Sequence, residues 1–374
     1  MNQEALRTIA LTRCSPFALS GLLQLYQRAG SATAVVENYA DIRSILPDAS
    51  QHLIDGLQAM PSALARAEEE AAYCEEKGIE VLTFNADNYP QRMRECVDAP
   101  LLLYYKGTAN LNARRTINII GTRHCTTYGQ ELIRVFTREL KALCPDVLIF
   151  SGLAYGVDIY AHREALTNQL DTVGVLAHGL DTLYPRSHYD TARQMTRQGG
   201  LLTEYTTRTQ PKAQNFVQRN RIVAGCSDAT VLVESASKGG GLITCSIARS
   251  YARDVFAFPG TIGAPYSEGC NNLIRDNNAG LITSANDFVK AMGWDEDVKL
   301  AKAQRKGIER SLFPELSADE QTIVGVLKRN NDLQLNLLSA QTGLPISQLT
   351  ALLFELEMKG IVRTMAGGSY HLLG

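Results

Sequence analysis

The stretch 147–162 reads V-L-I-F-S-G-L-A-Y-G-V-D-I-Y-A-H, which is an apolar run, a glycine turn and an amphipathic segment in that order. Four consecutive apolar residues at 147–150 are typical of a strand that is buried on both faces of a sheet. The small residues that follow allow a tight turn, and the spacing beyond them predicts a helix over 154–167. Strand, turn and helix in this order form the repeating unit of a parallel α/β sheet.

The same unit recurs on both sides of this stretch. Apolar, β-branched runs predict further strands at 116–120, 172–176, 230–233 and 254–258. Helical spacing predicts crossover helices at 128–142 and 243–252. We therefore predict an α/β fold with a doubly wound parallel sheet, whose ligand site lies outside the carboxyl ends of the strands.

Helical segments flank this predicted sheet. Residues 1–77 carry apolar residues at helical spacing, including a helix over 62–77 that ends before Gly78. Short helices around Gly21 and Gly30 are consistent with a helix-hairpin-helix-like bundle that grips a duplex backbone, or with a scaffold or docking bundle. Residues 1–80 hold 6 basic and 11 acidic side chains, which favours the scaffold. The predicted domains are 1–77, 78–291, a mixed-charge linker at 292–314, and 315–374.

The last of these domains has the pattern of a winged helix. Ser317 and Glu320 form a capping-box pattern. Helices are predicted at 318–329, 335–342 and 347–359, and hairpin strands at 361–364 and 369–373. The predicted third helix carries Glu355 and Glu357 against Lys359 alone. We therefore expect a protein-contact or weak accessory module rather than a reader of duplex DNA.

The composition is that of a globular protein with several domains. The chain has 374 residues, of which 45% are hydrophobic, and its net charge is -2. No apolar run approaches the roughly 20 residues of a membrane span, and the N-terminus lacks the apolar core of a signal peptide. The eight cysteines contain no C-x-x-C pair, so we expect no metal site and a cytoplasmic protein with free thiols.

The near-neutral total hides an uneven distribution of charge. Between residues 182 and 222 lie two acidic residues and seven basic ones, which are Arg186, Arg193, Arg197, Arg208, Lys212, Arg219 and Arg221. An aromatic ring among cations, here Phe216, is a platform for single-stranded nucleic acid, because the ring stacks on a base while the cations hold the backbone. A solvated helix face with Phe216 in the core explains the same pattern, and the residues alone leave both interpretations open.

Small or glycine-rich turns follow three of the predicted strands, at 121–123, 151–156 and 239–241. Such a turn before a helix exposes N–H groups to an anion, and Arg123 adds a guanidinium that matches phosphate. Small residues at these positions also simply allow tight packing. Neither G-x-G-x-x-G nor a P-loop is present, so we expect no NAD or ATP as cofactor.

Hydrolytic or redox chemistry finds little support, since the chain has neither a G-x-S-x-G elbow nor an H-E-x-x-H pair. Asp158 and His162 are four residues apart on one predicted helix, where they could form a pair or a hydrogen bond that fixes the turn. Glu204 and Glu234 follow strands, so they could be catalytic carboxylates or could hold helix and loop N–H groups. We expect a protein that is not an enzyme.

Six motifs occur in order over about two hundred residues. They are Tyr89-Pro90 with Ala99-Pro100-Leu101; I-I-G-T-R at 119–123; S-G-L-A-Y-G-V-D-x-x-A-H at 151–162; Gly179-Leu180-Asp181 with Tyr184-Pro185; F-x-x-R-N-R at 216–221; and Pro259-Gly260 with Gly269 and Asn271. Together they resemble the DNA-processing protein A family (DprA, also called Smf). The resemblance implies an extended Rossmann-like domain preceded by a helical, sterile-alpha-motif-like domain and followed by a winged helix.

The resemblance also implies roles for individual residues. Phosphates would bind at Gly121, Thr122, Arg123, Ser151, Gly152 and Gly156, with Ala154 in the same turn. Phe216 would stack a base, and Arg219, Asn220 and Arg221 would line the pocket with Lys212 nearby. Gly240, Gly241 and Thr244 would complete the site. The family commonly has S-G-[SA]-L-x-T-A where this chain has G-G-G-L-I-T-C at 239–245, so the hydroxyl contacts are lost and the backbone donors remain.

From these features we expect a homodimer that binds single-stranded DNA and assists loading of a RecA-type recombinase during natural transformation, with single-strand-binding protein as a further partner and no membrane. One alternative is a nucleotide-processing enzyme of the lysine-decarboxylase-like, cytokinin-activating type, although residues 239–244 carry no glutamate in register with its P-G-G-x-G-T-x-x-E stretch. The other alternative is a pure recombinase-docking adaptor.

Overall fold

A computed structural model describes residues 2–14, 19–295, 316–365 and 368–373. The chain divides into two compact units, Met1–Asp295 and Glu296–Gly374. Residues 296–314 of the predicted linker lie outside the described residues. The residues just before them are packed: the ring of Trp294 lies with its centroid 5.5 Å from that of Phe288, and the Arg115 guanidinium lies 5.2 Å from the Trp294 ring.

Helices form the first part of the larger unit. The described α-helices are α1 Gln3–Arg13, α2 Leu19–Ala29, α3 Ala32–Glu37, α4 Gln51–Leu57 and α5 Met60–Lys77. Serine side chains cap two of them, since Ser31 accepts from the Ala34 N–H and Ser50 from the Leu53 N–H. Helix α5 ends at Gly78 in the left-handed conformation, as the sequence predicts.

A buried carboxylate joins these helices to the sheet. Glu70 of α5 is 1% exposed and accepts hydrogen bonds from the backbone N–H and the hydroxyl of Thr207, at 2.8 and 2.5 Å. The Arg66 guanidinium donates to the same carboxylate at 2.8 Å. The predicted domain boundary at residue 78 therefore lies inside the first compact unit.

A nine-stranded mixed sheet follows. Its strands are β1 Glu80–Thr83, β2 Leu102–Gly107, β3 Thr116–Ile120, β4 Leu148–Ser151, β5 Thr172–Val175, β6 Gly199–Thr203, β7 Ala229–Leu232, β8 Asp254–Ala257 and β9 Gly280–Leu281. Their order is β1-β2-β6-β5-β4-β3-β7-β8-β9. Strands β3 to β9 pair in parallel, whereas β2 pairs antiparallel with both β1 and β6.

The strand order reverses between β3 and β7. From β3 the chain builds β4, β5 and β6 to one side, and it then returns to add β7, β8 and β9 on the other side. Right-handed crossovers place the intervening helices on opposite faces of the sheet for the two directions. The helices are α6 Gln91–Arg94, α7 Thr127–Leu143, α8 Val157–Thr167, α9 Tyr189–Met195, α10 Ala213–Gly225, α11 Gly240–Ser250, α12 Glu268–Arg275 and α13 Ala285–Ala291. A crevice at the carboxyl ends of β3 and β7 is the expected ligand site of such a fold.

The predicted doubly wound sheet is confirmed, with all five predicted strands present within one residue of their expected bounds. Helix α8 begins three residues later than predicted, because Leu153 and Gly156 have positive φ angles of 51° and 75°. The elements of this domain that were not predicted are strands β1, β2, β6 and β9 and helices α6, α9, α10, α12 and α13. Two glycines begin β6, and glycine is not typical of strands.

The smaller unit is the predicted winged helix. Its helices are α14 Ala318–Arg329, α15 Leu335–Thr342 and α16 Ile346–Met358, and its strands are β10 Leu333–Gln334, β11 Val362–Met365 and β12 Ser369–Leu372. Strand β10 lies between α14 and α15 in the chain, β11 and β12 follow α16, and the order in the sheet is β10-β12-β11. The predicted capping box is present: Glu320 accepts from the Ser317 N–H at 2.8 Å, and Ser317 accepts from the Glu320 N–H at 3.3 Å. Lys359 also donates to the Glu320 carboxylate at 2.6 Å.

Within the described ranges, no single helix has the length and apolar character needed to cross a bilayer, and only the bent pair α15 and α16, with 106° between them, meets the length and composition requirement together.

Candidate functional site

An open cleft of about 680 Å³ lies at the reversal point of the sheet. Its walls come from the turns after β3, β4 and β7 and from one face of α10. Eleven of the predicted site residues line it, namely Gly121, Thr122, Arg123, Gly152, Ala154, Phe216, Arg219, Asn220, Gly240, Gly241 and Thr244. The fold thus brings together four segments that are spread over more than a hundred residues of the chain, from Gly121 to Thr244.

An aromatic ring in the wall of the cleft lies close to two cations. The ring of Phe216 is half-buried, with the Arg123 guanidinium 5.5 Å and the Arg219 guanidinium 5.9 Å from its centroid. Tyr184 meets the same ring edge-on at 5.9 Å and is itself 47% exposed. Arg123 is exposed, so its charge is available to a ligand, whereas Arg219 is buried.

Arg219 anchors α10 to the sheet. Its guanidinium donates to the carbonyl oxygen of Gly152 at 2.5 Å and to that of Val175. Burial lowers the pKa of Arg219, and the nearby carboxylate of Asp158 opposes that shift. Glycine is required at position 152, because a Cβ there would lie 2.5 Å from the Arg219 guanidinium. These hydrogen bonds fix the Arg219 guanidinium beside the ring of Phe216.

The turn after β4 is occupied by a buried carboxylate. Asp158 accepts hydrogen bonds from the backbone N–H groups of Gly152 and Ala154, at 3.1 and 3.4 Å. Burial raises the pKa of Asp158, while Arg219 and these hydrogen bonds hold the shift down. The two N–H groups that we expected to meet phosphate are thus already bonded inside the protein.

Asp158 and His162 do not form a pair with each other. The Nδ1 atom of His162 lies 2.7 Å from the Thr172 hydroxyl, whereas Asp158 bonds the turn. His162 is fully buried, and burial, reinforced by the charge of Arg219, lowers its pKa to about 3. The imidazole is therefore neutral at physiological pH.

The turn after β3 is held by Glu234, at the end of β7. The Glu234 backbone carbonyl accepts from the Thr122 N–H at 2.8 Å, and its carboxylate accepts from the N–H and hydroxyl of Thr126, at 2.8 and 2.6 Å. Of the two roles left open for Glu234, the structure shows the one that holds loop N–H groups. It leaves the Arg123 side chain as the group that this turn offers to an anion.

The third turn presents the backbone of Gly240 openly, whereas Gly241 is buried. Gly240 and Gly241 form the first turn of α11, where N–H groups have no intrahelical acceptor and the helix dipole favours negative charge. A Cβ at Gly240 would meet nothing within 4 Å, so solvent or a ligand reaches this backbone directly. Thr244, one turn later, is 3% exposed and supports the helix from within.

Four predicted site residues do not line the cleft. Ser151 is buried, and its hydroxyl donates to the Ile119 carbonyl at 2.6 Å. Gly156 allows the close packing of α8, since a Cβ there would collide with the backbone of Thr122 and Arg123. Lys212 is exposed at the N-terminal end of α10, outside the cleft wall.

Arg221 is the fourth, and it points to the opposite side of α10. It is 4% exposed and donates to the Glu204 carboxylate at 2.5 Å. Burial raises the pKa of Glu204, and Arg221 opposes the shift. The pair is internal, so Glu204 is engaged in structure and Arg221 is not part of the cleft.

The sequence did not single out Tyr184, His124 and Asp158 as parts of the cleft, yet all three line it. Tyr184 belongs to the Tyr184-Pro185 motif, and this motif was the available signal. In the described part of the chain, no three His, Cys, Asp or Glu side chains are grouped in a way that would hold a metal ion.

Comparison with known proteins gives one consistent result. The sequence matches the family model for DNA recombination-mediator protein A over residues 80–293, and the model for the DprA winged helix domain over residues 310–368. DNA processing protein DprA of Streptococcus pneumoniae (strain ATCC BAA-255 / R6) is 37% identical over 203 residues, covering 54% of this chain and 71% of the relative. Protein Smf of Escherichia coli (strain K12) is 31% identical over 316 residues, covering 82% and 80%.

Solved structures agree with these relatives. DNA processing protein A from Streptococcus pneumoniae superposes with a TM-score of 0.65 at 29% identity, covering 78% of this chain and 98% of that one. DNA processing protein A from Helicobacter pylori, whose structure was used to describe a single-stranded DNA binding mode, superposes with a TM-score of 0.52 at 28% identity. The match covers 58% of this chain and 96% of that one.

Proposed function

This chain belongs to the DNA recombination-mediator protein A family, and from that premise we propose that its cleft binds single-stranded DNA, without strong preference for sequence, in recombination and natural transformation. The observation that carries the proposal is the ring of Phe216, which lines an open cleft and has the guanidinium groups of Arg123 and Arg219 within 6 Å of its centroid. Aromatic rings among cations bind single strands because every base has a face that can stack.

The arrangement of donors supports a particular docking mode. A splayed base stacks on Phe216, while the adjacent phosphates meet Arg123 and the first-turn N–H groups of Gly240 and Gly241. Asn220, which lines the cleft beside Phe216, supplies a neutral side-chain amide. The turn at 151–156 shapes this surface, because its own donors are bonded to Asp158.

We propose that this role is not catalytic. The carboxylates that follow strands are engaged in structural hydrogen bonds, Glu234 with Thr126 and Glu204 with Arg221. The alternative nucleotide-processing enzyme of the lysine-decarboxylase-like type needs a glutamate after its glycine turn, and 239–244 has none. Incubation with nucleoside monophosphates separates the two functions, since released base would favour the enzyme.

The proposal has four further parts: the protein assists loading of a RecA-type recombinase, forms a homodimer, contacts single-strand-binding protein and is located in the cytoplasm. The winged helix supports a protein-contact role, because α16 exposes Ile346, Phe354 and Met358 at 48, 64 and 76%, at a helical spacing that places them on one face. The eight cysteines are free thiols, which suits a reducing compartment. In a pure docking adaptor, recombinase loading would survive loss of DNA binding.

The test is the affinity of the full chain for a fluorescent oligothymidylate, measured by anisotropy, for the wild type and for Phe216→Ala. Loss of one stacked base should weaken binding by about 5- to 150-fold, from about 1–3 kcal/mol per base. Phe354→Ala is the matched control, because it removes an exposed phenylalanine from the winged helix. Equal affinity for Phe216→Ala and the wild type would exclude the cleft as the site.

A further inference from the structure

A second cavity, of about 540 Å³, lies on the other side of the loop that carries Tyr184. Its floor is apolar and includes Leu176, Leu183 and Leu201. It lies over the part of the sheet where β2 pairs with β6, with Lys106 directly opposite Leu201 in the antiparallel register. Directly opposed residues project from the same face of a sheet, so a cation borders this floor.

Cations outnumber carboxylates around the cavity. Lys106, Arg186 and Arg193 line it, and none of the three charged groups has an ion-pair or hydrogen-bond partner among the described residues. Tyr189 also lines it and is 62% exposed. An aromatic ring near an exposed cation also occurs in the first cleft, where Arg123 lies over Phe216.

The one acidic side chain at this cavity is already engaged. Asp181 accepts a hydrogen bond from the backbone N–H of Arg208 at 2.9 Å, on the side of the loop after β6. Three cations against this one carboxylate leave the cavity with a net positive charge toward an anionic ligand.

The two cavities share one short loop. Tyr184 lines the first cleft, while its neighbour Leu183 and the nearby Arg186 line the second cavity. Successive Cα atoms are about 3.8 Å apart, so Leu183, Tyr184 and Arg186 span only a short distance. A DNA strand that leaves Phe216 therefore has to cross only this loop to reach the floor of the second cavity.

We propose that this cavity is a second subsite for the same single strand. The nucleotides that follow the base on Phe216 pass over Tyr184, place a base on Tyr189 and set their phosphates against Arg186, Arg193 and Lys106. The inference rests on the proposed function of the first cleft. Charge complementarity and continuity with that cleft favour DNA over an acidic protein segment as the occupant.

The experiment compares two oligothymidylate lengths, about 5 and about 15 nucleotides, within the range that one single-strand site spans. The double variant Arg186→Ala/Arg193→Ala should bind the short strand as the wild type does and the long strand about tenfold more weakly. Its salt slope for the long strand should fall by about 1.4, at about 0.7 for each phosphate contact. Arg197→Ala is the matched control, an exposed arginine of the same segment that lines neither cavity.

The outcomes separate this inference from the proposed function. Wild-type affinity that rises with strand length, together with a loss confined to the long strand in the double variant, supports the second subsite. Unchanged binding of both lengths by the double variant overturns the subsite and leaves the first cleft standing, whereas a wild type that binds neither length overturns both. An acidic peptide that binds the wild type but not the double variant, with no effect of strand length, assigns the cavity to protein and also overturns the subsite.

Discussion

Replacing Arg123 with alanine should weaken binding of single-stranded DNA without unfolding the protein. The Arg123 side chain is exposed and lies over Phe216 at 5.5 Å from the ring centroid. In the proposed docking mode it contacts one phosphate, and its guanidinium lies over the stacking ring. A cation over an exposed ring contributes about 0.5–1 kcal/mol, and the phosphate contact adds an electrostatic component that salt screens.

The salt dependence gives the sharper number. Each phosphate contact to a single strand contributes about 0.7 to the slope of log affinity against log salt. Between about 50 and 200 mM salt, loss of one contact changes the ratio of variant to wild-type Kd by roughly 2.5-fold, with the larger ratio at low salt. The assay is an anisotropy titration at four salt concentrations, with Tm measured alongside.

The control is Arg249→Ala. Arg249 is exposed in the last turn of α11, at the opposite end of that helix from Gly240, and it should change neither affinity nor slope. A ratio for Arg123→Ala that stays constant across salt would refute the phosphate contact, even if affinity fell. A large drop in Tm would instead show that Arg123 is structural.

Three further outcomes follow from the buried polar groups. Arg221→Met leaves Glu204 buried without its cation, so the free energy of unfolding in urea should fall by about 3 kcal/mol while the affinity for DNA stays unchanged. A large loss of DNA affinity in a folded variant would show that Arg221 belongs to the binding site. Gly152→Ala should lower both Tm and DNA affinity, since the new Cβ would displace the Arg219 guanidinium, and a variant with wild-type Tm and Kd would contradict that contact. The pKa of His162 is about 3 in the folded state and about 6.5 in the unfolded state, so the unfolded state binds more protons between these values and the free energy of unfolding falls as the pH falls. His162→Gln should remove about 2 kcal/mol of the stability that the wild type loses between about pH 7.5 and 5. A variant with the same pH profile of stability as the wild type would exclude this role.

The sheet was predictable from sequence because its parallel strands are buried on both faces. Val147, Leu148, Ile149 and Phe150 are all buried, and this burial is reflected in the uninterrupted apolar run that predicts β4. Strand β6 escaped prediction because it begins Gly199-Gly200, and the tight pairing with its neighbours excludes a Cβ at both positions. The requirement for glycine comes from a neighbouring strand, which no local pattern reports.

The motif at 216–221 shows what the sequence could not separate. On a helix, at about 100° per residue, positions 219 and 220 return to the face of Phe216, whereas position 221 lies about 140° away. Once α10 is known to be a helix, Arg219 and Asn220 are expected on the same face as the ring of Phe216. Arg221 is expected on the opposite face, where it donates a hydrogen bond to the Glu204 carboxylate. The basic stretch gave no helical signal of its own, so its charges could be counted but not assigned to faces.

That assignment changes what the local charge means. The seven basic residues between 182 and 222 suggested a strongly positive surface, but Arg219 and Arg221 are buried beside carboxylates, and Arg208 lies 3.1 Å from Glu69. These three arginines form internal contacts that hold α10 and the loop after β6 in place. The cations left for a phosphate backbone are the exposed ones, with Arg123 at the first cleft. The salt dependence of binding should therefore reflect a few phosphates rather than seven, and the affinity should depend at least as much on the ring of Phe216 as on net charge.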